Sequence, residues 1–249
     1  MATSKAAAVL RKLFRGITEF KDVLGDEPWD PNRAYFKIQR SGLQGLGNSM
    51  IDRGVEQSLF YTKSLSMIEI GASSGEHLDF VNDLSLIKRY VALDLFPRVT
   101  NPALSFQLET LIPIEFVQGD AEKLPFSDNE FDVALSMCVL AHVNNPETVL
   151  QELRRVTRGG GQIAIGMPCD PGMINRLIKG LVTYRVMRRN GVENPKLSYA
   201  RDHRNAIGNL IELTRHVFYE DKLRISYRPF RLRSWNLNLF CVIKVDIKK

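Results

Sequence analysis

The sequence predicts an α/β protein built on a doubly wound, mostly parallel, seven-stranded sheet with a C-terminal antiparallel hairpin and helical cap additions. Three observations predict it. Five short apolar runs, at residues 66–71 (SMIEIG), 90–95 (YVALDL), 115–120 (EFVQGD), 132–137 (DVALSM) and 162–168 (QIAIGMP), have the length and side chains of buried strands. Helical patterns separate them, and strand–helix alternation at that rhythm gives a parallel sheet covered on both faces. Two more strand-like runs, 223–228 and 239–247, close the chain, joined by a loop holding Pro229, Arg231, Arg233 and Trp235.

Taken in order, residues 1–65 read as a helical N-terminal lid and residues 66–168 as the core. Within the core, helices are expected over 77–86 and 146–156. In the second of these, Val149, Leu150, Leu153 and Val156 recur at three- and four-residue spacing. Gly159, Gly160 and Gly161 mark the turn into the fifth strand. Residues 171–220 read as a cap insertion and 221–249 as the terminal strands, all within one domain. In the cap, 173–189 places Ile174, Leu177, Ile178 and Leu181 on one face, with Arg185, Arg188 and Arg189 near its end. A cap helix whose cations complement its C-terminal dipole is the plainer reading. Contact with a membrane surface is the other.

Composition narrows the class. The 249 residues are 44% hydrophobic and 25% charged, as in a globular protein rather than a disordered or collagen-like one. No apolar run approaches the ~18 residues of a membrane span. The net charge of +6 is unevenly spread: +3 over residues 1–65, −7 over 66–169 and +10 over 170–249. A basic last third suits an anionic partner. Cys138, Cys169 and Cys241 are odd in number and far apart, which fits a reducing, cytoplasmic setting. The first 18 residues carry Lys5, Arg11, Lys12 and Arg15 and read as an amphipathic helix rather than a transit peptide.

The chemistry-bearing positions fall at strand ends. Glu69-Ile70-Gly71-Ala72-Ser73-Ser74-Gly75 follows the first strand, where glycines let backbone approach a ligand. The dinucleotide fingerprint G-x-G-x-x-G does not fit, because Ser73 and Glu76 stand at its second and third glycines. Asp94 ends the second strand, where a carboxylate can accept from both hydroxyls of a ribose. Asp120-Ala121 follows the third, and Ser136-Met137-Cys138-Val139-Leu140-Ala141-His142-Val143 the fourth. In open α/β sheets, ligands bind at these carboxyl ends.

On these residues the sequence resembles class I S-adenosylmethionine-dependent methyltransferases of the small, non-metal "type 11" kind, with a Rossmann-like core. Glu69, Gly71 and Gly75 match the first motif E/D-x-G-x-G-x-G, with Ser73 at the middle glycine. Asp94 matches the ribose acid. Residues 118–126 match the adenine segment D-A-E-x-L-P-F, and Val139-Leu140-Ala141-His142-Val143 resembles L-E-H-V with Ala141 in place of Glu. The resemblance covers residues 66–168. It implies S-adenosylmethionine as cofactor. Gly71, Ser73 and Gly75 would then pass beneath the methionine part, with Glu69 anchoring its ammonium. Asp94 would hold the ribose, with Leu95 and Phe96 beside the adenine. Asp120 and Ala121 would bind the adenine edge, and Met137 and His142 would line the cavity near the sulfonium. For His142, a packing histidine is an equal alternative.

The region after the fourth strand excludes several subclasses. It has no D/N-P-P-Y/F segment for base-amine transfer, no proline beside Cys138 for a cytosine nucleophile and no glutamate pair for arginine transfer. Only Asp170 is available as a catechol-type carboxylate, so no metal is expected. Candidate bases are His142, His203 and Asp170. Tyr199, Arg201, Arg231, Arg233 and Trp235 are candidate acceptor-binding residues; the alternatives for these segments are a solvated turn and a solvated basic loop. His77 reads as a surface or cofactor-side residue. The leading expectation is methyl transfer to a small-molecule or glycan acceptor, polar or anionic, with O-methylation preferred over N-methylation and a setting in polysaccharide or secondary-metabolite biosynthesis. An RNA methyltransferase using the basic tail and a catalytically silent coenzyme-binding subunit are the alternatives. The sequence leaves the oligomeric state open.

Overall fold

A computed structural model describes residues 42–61, 65–72, 75–95 and 112–248. The first 41 residues of the expected lid, Ser73 of the glycine loop and Phe96 lie outside the described residues. Among the described residues, helix α1 (Gly42–Glu56) precedes strand β1 (Leu65–Ile70), and β2 (Ile87–Asp94), β3 (Ile114–Gln118) and β4 (Phe131–Met137) follow. Helix α2 (Pro146–Val156) leads into β5 (Thr157–Pro168). The cap region holds α3 (Met173–Ile178), a π-helical turn over Lys179–Thr183, α4 (Tyr184–Arg189) and α5 (Pro195–Asp202). Helix α6 (Ile207–Val217) and strands β6 (Lys222–Arg228) and β7 (Phe240–Asp246) complete the chain.

The seven strands form one sheet in the order β3-β2-β1-β4-β5-β7-β6. Strands β1 to β5 pair in parallel, and β7 runs antiparallel between β5 and β6. Strand order reverses at β1, which lies between β2 and β4 and creates a crevice above their carboxyl ends. Alternate residues of each strand fill two cores. Ile68, Ile70, Ala134 and Ile163 face the layer of α2 and α6, while Met67, Val133, Leu135 and Ala164 face α1. Burial on both faces is why these strands read as plain apolar runs rather than alternating ones.

Helix α2 begins where predicted because Asn145 caps it, accepting from the backbone N–H of Thr148 at 3.2 Å, with Pro146 in its first turn. Helix α1 packs closely on β5: a Cβ on Gly166 would meet Ile51 Cγ2 at 2.3 Å, so glycine is what lets the two elements touch.

Three local expectations change. The helix expected over 77–86 is two short 3₁₀ turns, Glu76–Phe80 and Leu84–Leu86. The glycines at 159–161 lie inside β5 rather than before it, where the pairing with β4 shifts register between Phe131 and Val133. A side chain on Gly161 would collide with the carbonyl of Asp132 at 2.7 Å. Helix α6, expected in the cap, packs against α2 in the core layer.

Candidate active site

The turn after β1 is tight. Gly71 and Gly75 have φ of +68° and +75°, and the N–H of Gly75 donates to the Ala72 carbonyl at 2.7 Å. A Cβ on Gly71 would meet Val139 Cγ2 at 2.2 Å, so this turn lies directly against the loop after β4. Asp94, half-buried, ends β2 in register with Gln118 of β3, and its carbonyl accepts from Gly119 N–H at 3.0 Å. Leu95 beside it is exposed. Asp120 is exposed and accepts from the backbone N–H of Glu122 at 2.8 Å, which fixes the turn carrying buried Ala121. Half-buried Met137 and fully buried Ser136 end β4, and no described group bonds the Ser136 hydroxyl.

The crevice is therefore lined at successive strand ends by carboxylates. That set of acceptors suits a ligand presenting hydroxyls, an amine and a positive charge, as S-adenosylmethionine does. Glu69, in β1 just before the glycine turn, is 3% exposed and accepts a short hydrogen bond from the Tyr90 hydroxyl.

Under that turn lies a polar cluster that sequence reading missed. His77, expected at the surface or on the cofactor side, is buried. Its Nδ1 lies 3.6 Å from Asp52 and its Nε2 3.5 Å from Glu56, both on α1. Burial opposes its charge, but the two carboxylates outweigh burial and push its pKa up to about 9. Burial would raise the Glu56 carboxyl. Contacts from His77, the Tyr61 hydroxyl at 2.5 Å and the Asn82 backbone outweigh it and hold the group below its ordinary value. A helix periodicity cannot announce this cluster, since its members come from two distant segments.

The loop after β4 meets the cap. The backbone N–H groups of Arg204 and Asn205 both donate to the Ala141 carbonyl, at 2.8 and 3.2 Å, and the Asn205 amide donates to Leu140 and Val143. These bonds bring His142 beside α5. His142 Nδ1 is 3.0 Å from the Asp202 carbonyl and 3.2 Å from its Oδ1. The rings of His142 and His203 are 4.6 Å apart, and Tyr199 stacks on His203 at 4.0 Å. His203 is held neutral: burial and the neighbouring His142 lower its pKa to about 4. Lys179 lies 4.1 Å over the Tyr199 ring and pairs with Asp170, which removes Asp170 as a free base. Burial lowers the Lys179 pKa, with Asp170 opposing it.

Two expected catalytic histidines and Tyr199 are thus brought together, and Asp202 is the partner sequence reading passed over. Arg201 is exposed on the same helix. Arg231 and Arg233 are exposed on the β6–β7 loop, and Trp235 packs its ring against the main core. Cys138 packs as expected; burial pushes its thiol up to about 12, far from a nucleophile. Donor atoms of His142, Asp202 and His203 lie within 4.8 Å of one another. In this arrangement Nδ1 of His142 faces a backbone carbonyl.

Comparison with known proteins bears on the family and the fold. Residues 68–165 match the family described as a methyltransferase domain. A demethylmenaquinone methyltransferase of Renibacterium salmoninarum is 44% identical over 52 residues, 21% of this chain and 22% of that protein. One from Paenarthrobacter aurescens is 39% identical over 75 residues, 30% of this chain and 29% of that protein. The chain thus spans under a third of the curated relatives it matches. An S-adenosylmethionine-dependent methyltransferase structure from Thermotoga maritima superposes with TM-score 0.53 at 17% identity, covering 87% of this chain and 95% of that one.

Proposed function

Residues 68–165 are a class I, S-adenosylmethionine-dependent methyltransferase domain, and on that premise we propose that the chain methylates a small acceptor bound beneath α5, with His142 receiving the acceptor's proton. One observation carries the reading. His142 Nδ1 lies 3.0 Å from the Asp202 carbonyl, and in the neutral tautomer in which Nδ1 donates to it, Nε2 keeps its lone pair. S-adenosylmethionine supplies a methyl group on a sulfonium that leaves as a neutral thioether. The chain's part is to hold the acceptor in line, exclude water and take one proton from the acceptor's hydroxyl to Nε2 as its electron pair forms the new bond to methyl.

In this reading Asp94 holds the ribose, and Asp120 and Ala121 the adenine. Leu95 lies beside the adenine, while Gly71 and Gly75 form the turn under the methionine part. Tyr199 and His203 offer flat walls, which favours an aromatic or enolic hydroxyl compound, methylated on oxygen or on the carbon its anion activates. The curated relatives are named for quinone substrates, which fits this class. They lend no support to the glycosidic acceptor, the RNA track or the silent subunit.

Incubating the protein with methyl-labelled S-adenosylmethionine and panels of hydroquinones, phenols, simple glycans and RNA tests the reading. Label on hydroquinones or phenols is the expected result. Label on glycans or RNA alone would overturn the acceptor class, and label on none would leave a coenzyme-binding protein without transfer.

A further inference from the structure

The helical run from α3 through α4 has two unlike faces. Lys179, Thr183 and Met187, four residues apart, are buried. Met173, Leu177 and Leu181, two positions out of phase with them, point away and are 60%, 60% and 51% exposed. Of the apolar face expected here, Leu177 and Leu181 are exposed and Ile174 and Ile178 half-buried. Three large aliphatic side chains stacked on one exposed helix face are not the scattered apolar residues of an ordinary surface.

The surface continues beyond the helix. Helix α3 packs against Trp235–Leu237, and a Cβ on Gly172 would meet the Trp235 carbonyl at 2.8 Å. The β6–β7 loop therefore flanks the helix, and it exposes Phe230 and Leu232 at 57% and 49%. Asn238 fixes that loop, accepting from Phe230 N–H at 3.0 Å and donating to the Leu232 and Ser234 carbonyls at 2.9 and 2.8 Å.

Its charge is of one sign. Exposed Arg176, Arg185 and Arg188 lie along the helix, and exposed Arg231 and Arg233 on the loop. No Asp or Glu occurs from 171 to 192 or from 223 to 239. Aliphatic side chains ringed by guanidinium groups match an anionic lipid surface: the apolar groups enter the acyl boundary while the arginines pair with headgroup phosphates. RNA would pair with the arginines but leaves Leu and Met without a partner, since it binds by stacking on aromatic rings.

We propose that the outer face of α3–α4, together with the β6–β7 loop, docks the protein on anionic membranes. Docking would set the inner face of the same helix, with Lys179 and the Tyr199–His203 stack behind it, at the level where an amphipathic acceptor is held.

Vesicle flotation tests the proposal, comparing equimolar phosphatidylcholine/phosphatidylglycerol vesicles with pure phosphatidylcholine. The native chain is expected to float with the anionic vesicles and to stay in solution with the neutral ones. L177E/L181E is expected to lower partitioning at least tenfold, because each change removes an inserted side chain and adds repulsion. R185E/R188E is expected to do the same and to flatten the salt dependence. Coenzyme affinity and melting temperature, measured on the same variants, should match the native chain, which keeps this test separate from the methyl-transfer reading. No flotation of the native chain would overturn the proposal, as would equal flotation of both variants. So would self-association of the native chain that both variants abolish while flotation is absent.

Discussion

His142 takes its orientation from a backbone carbonyl that another element contributes. The loop after β4 carries the ring, and the end of α5 supplies the Asp202 carbonyl at 3.0 Å and a carboxylate oxygen at 3.2 Å. His142→Ala is expected to lower kcat by about 10²–10⁴-fold with little change in coenzyme affinity, the usual worth of a general base. Asp202→Asn keeps the carbonyl and removes only the charge, so its loss should be smaller. Single-turnover rates across pH for both variants check this. Equal, pH-independent rates would remove the base and leave positioning alone. His203, neutral with its pKa lowered to about 4, is expected to act as a wall: His203→Phe should retain turnover where His203→Ala loses acceptor affinity. The sequence singled out His142 by its place after the fourth strand and His203 because polar side chains crowd residues 199–205. It passed over Asp202, because a backbone carbonyl carries no sequence signature.

At the scale of elements, the glycine turn and the loop after β4 are two halves of one structure. Gly71 holds φ at +68° with Val139 packed where a Cβ would stand. Gly71→Ala is expected to destabilise the fold by about 1–3 kcal/mol and weaken coenzyme binding, because L side chains resist that backbone region and Val139 must move. Adding Val139→Ala should recover the packing part but not the backbone part. Thermal melts of both variants separate the two; complete recovery would mean that φ costs nothing here.

Strands were legible because burial on both faces leaves plain apolar runs, and α2 because Asn145 and Pro146 announce its start. The turns at 76–86 were not, since Leu78 reproduces a helical spacing that tertiary contacts override. In the cap helix, tertiary contacts likewise decide which face is outward. Its apolar stripe is real, but Lys179 is drawn inward by Asp170 and the Tyr199 ring and takes the opposite face with it.

Across the whole molecule, charge is segregated by function. Asp94 and Asp120 stand at strand ends of the acidic middle, and the basic excess lies on the cap and the final hairpin. Between α1 and the core, His77 joins Asp52 and Glu56 in a buried ion cluster, so pH is felt in the fold itself. His77 has its folded pKa raised to about 9 from an unfolded value near 6.5. Its contribution is fully present below the unfolded value and is lost as pH rises through the folded one. Melting temperature should therefore fall between neutral pH and about pH 9, and His77→Gln should flatten that fall while lowering stability at neutral pH. A native chain whose melting point is constant over that window would contradict the charged assignment.

The account rests on the crevice above β1, β2 and β4 being the coenzyme site. Isothermal calorimetry of S-adenosylmethionine with the native chain and with Asp94→Ala tests that most directly. One molecule bound per chain, with affinity at least tenfold weaker in the variant for loss of charge-assisted hydrogen bonds to the ribose, is the predicted result. Unchanged affinity in the variant, or no binding by the native chain, would contradict it.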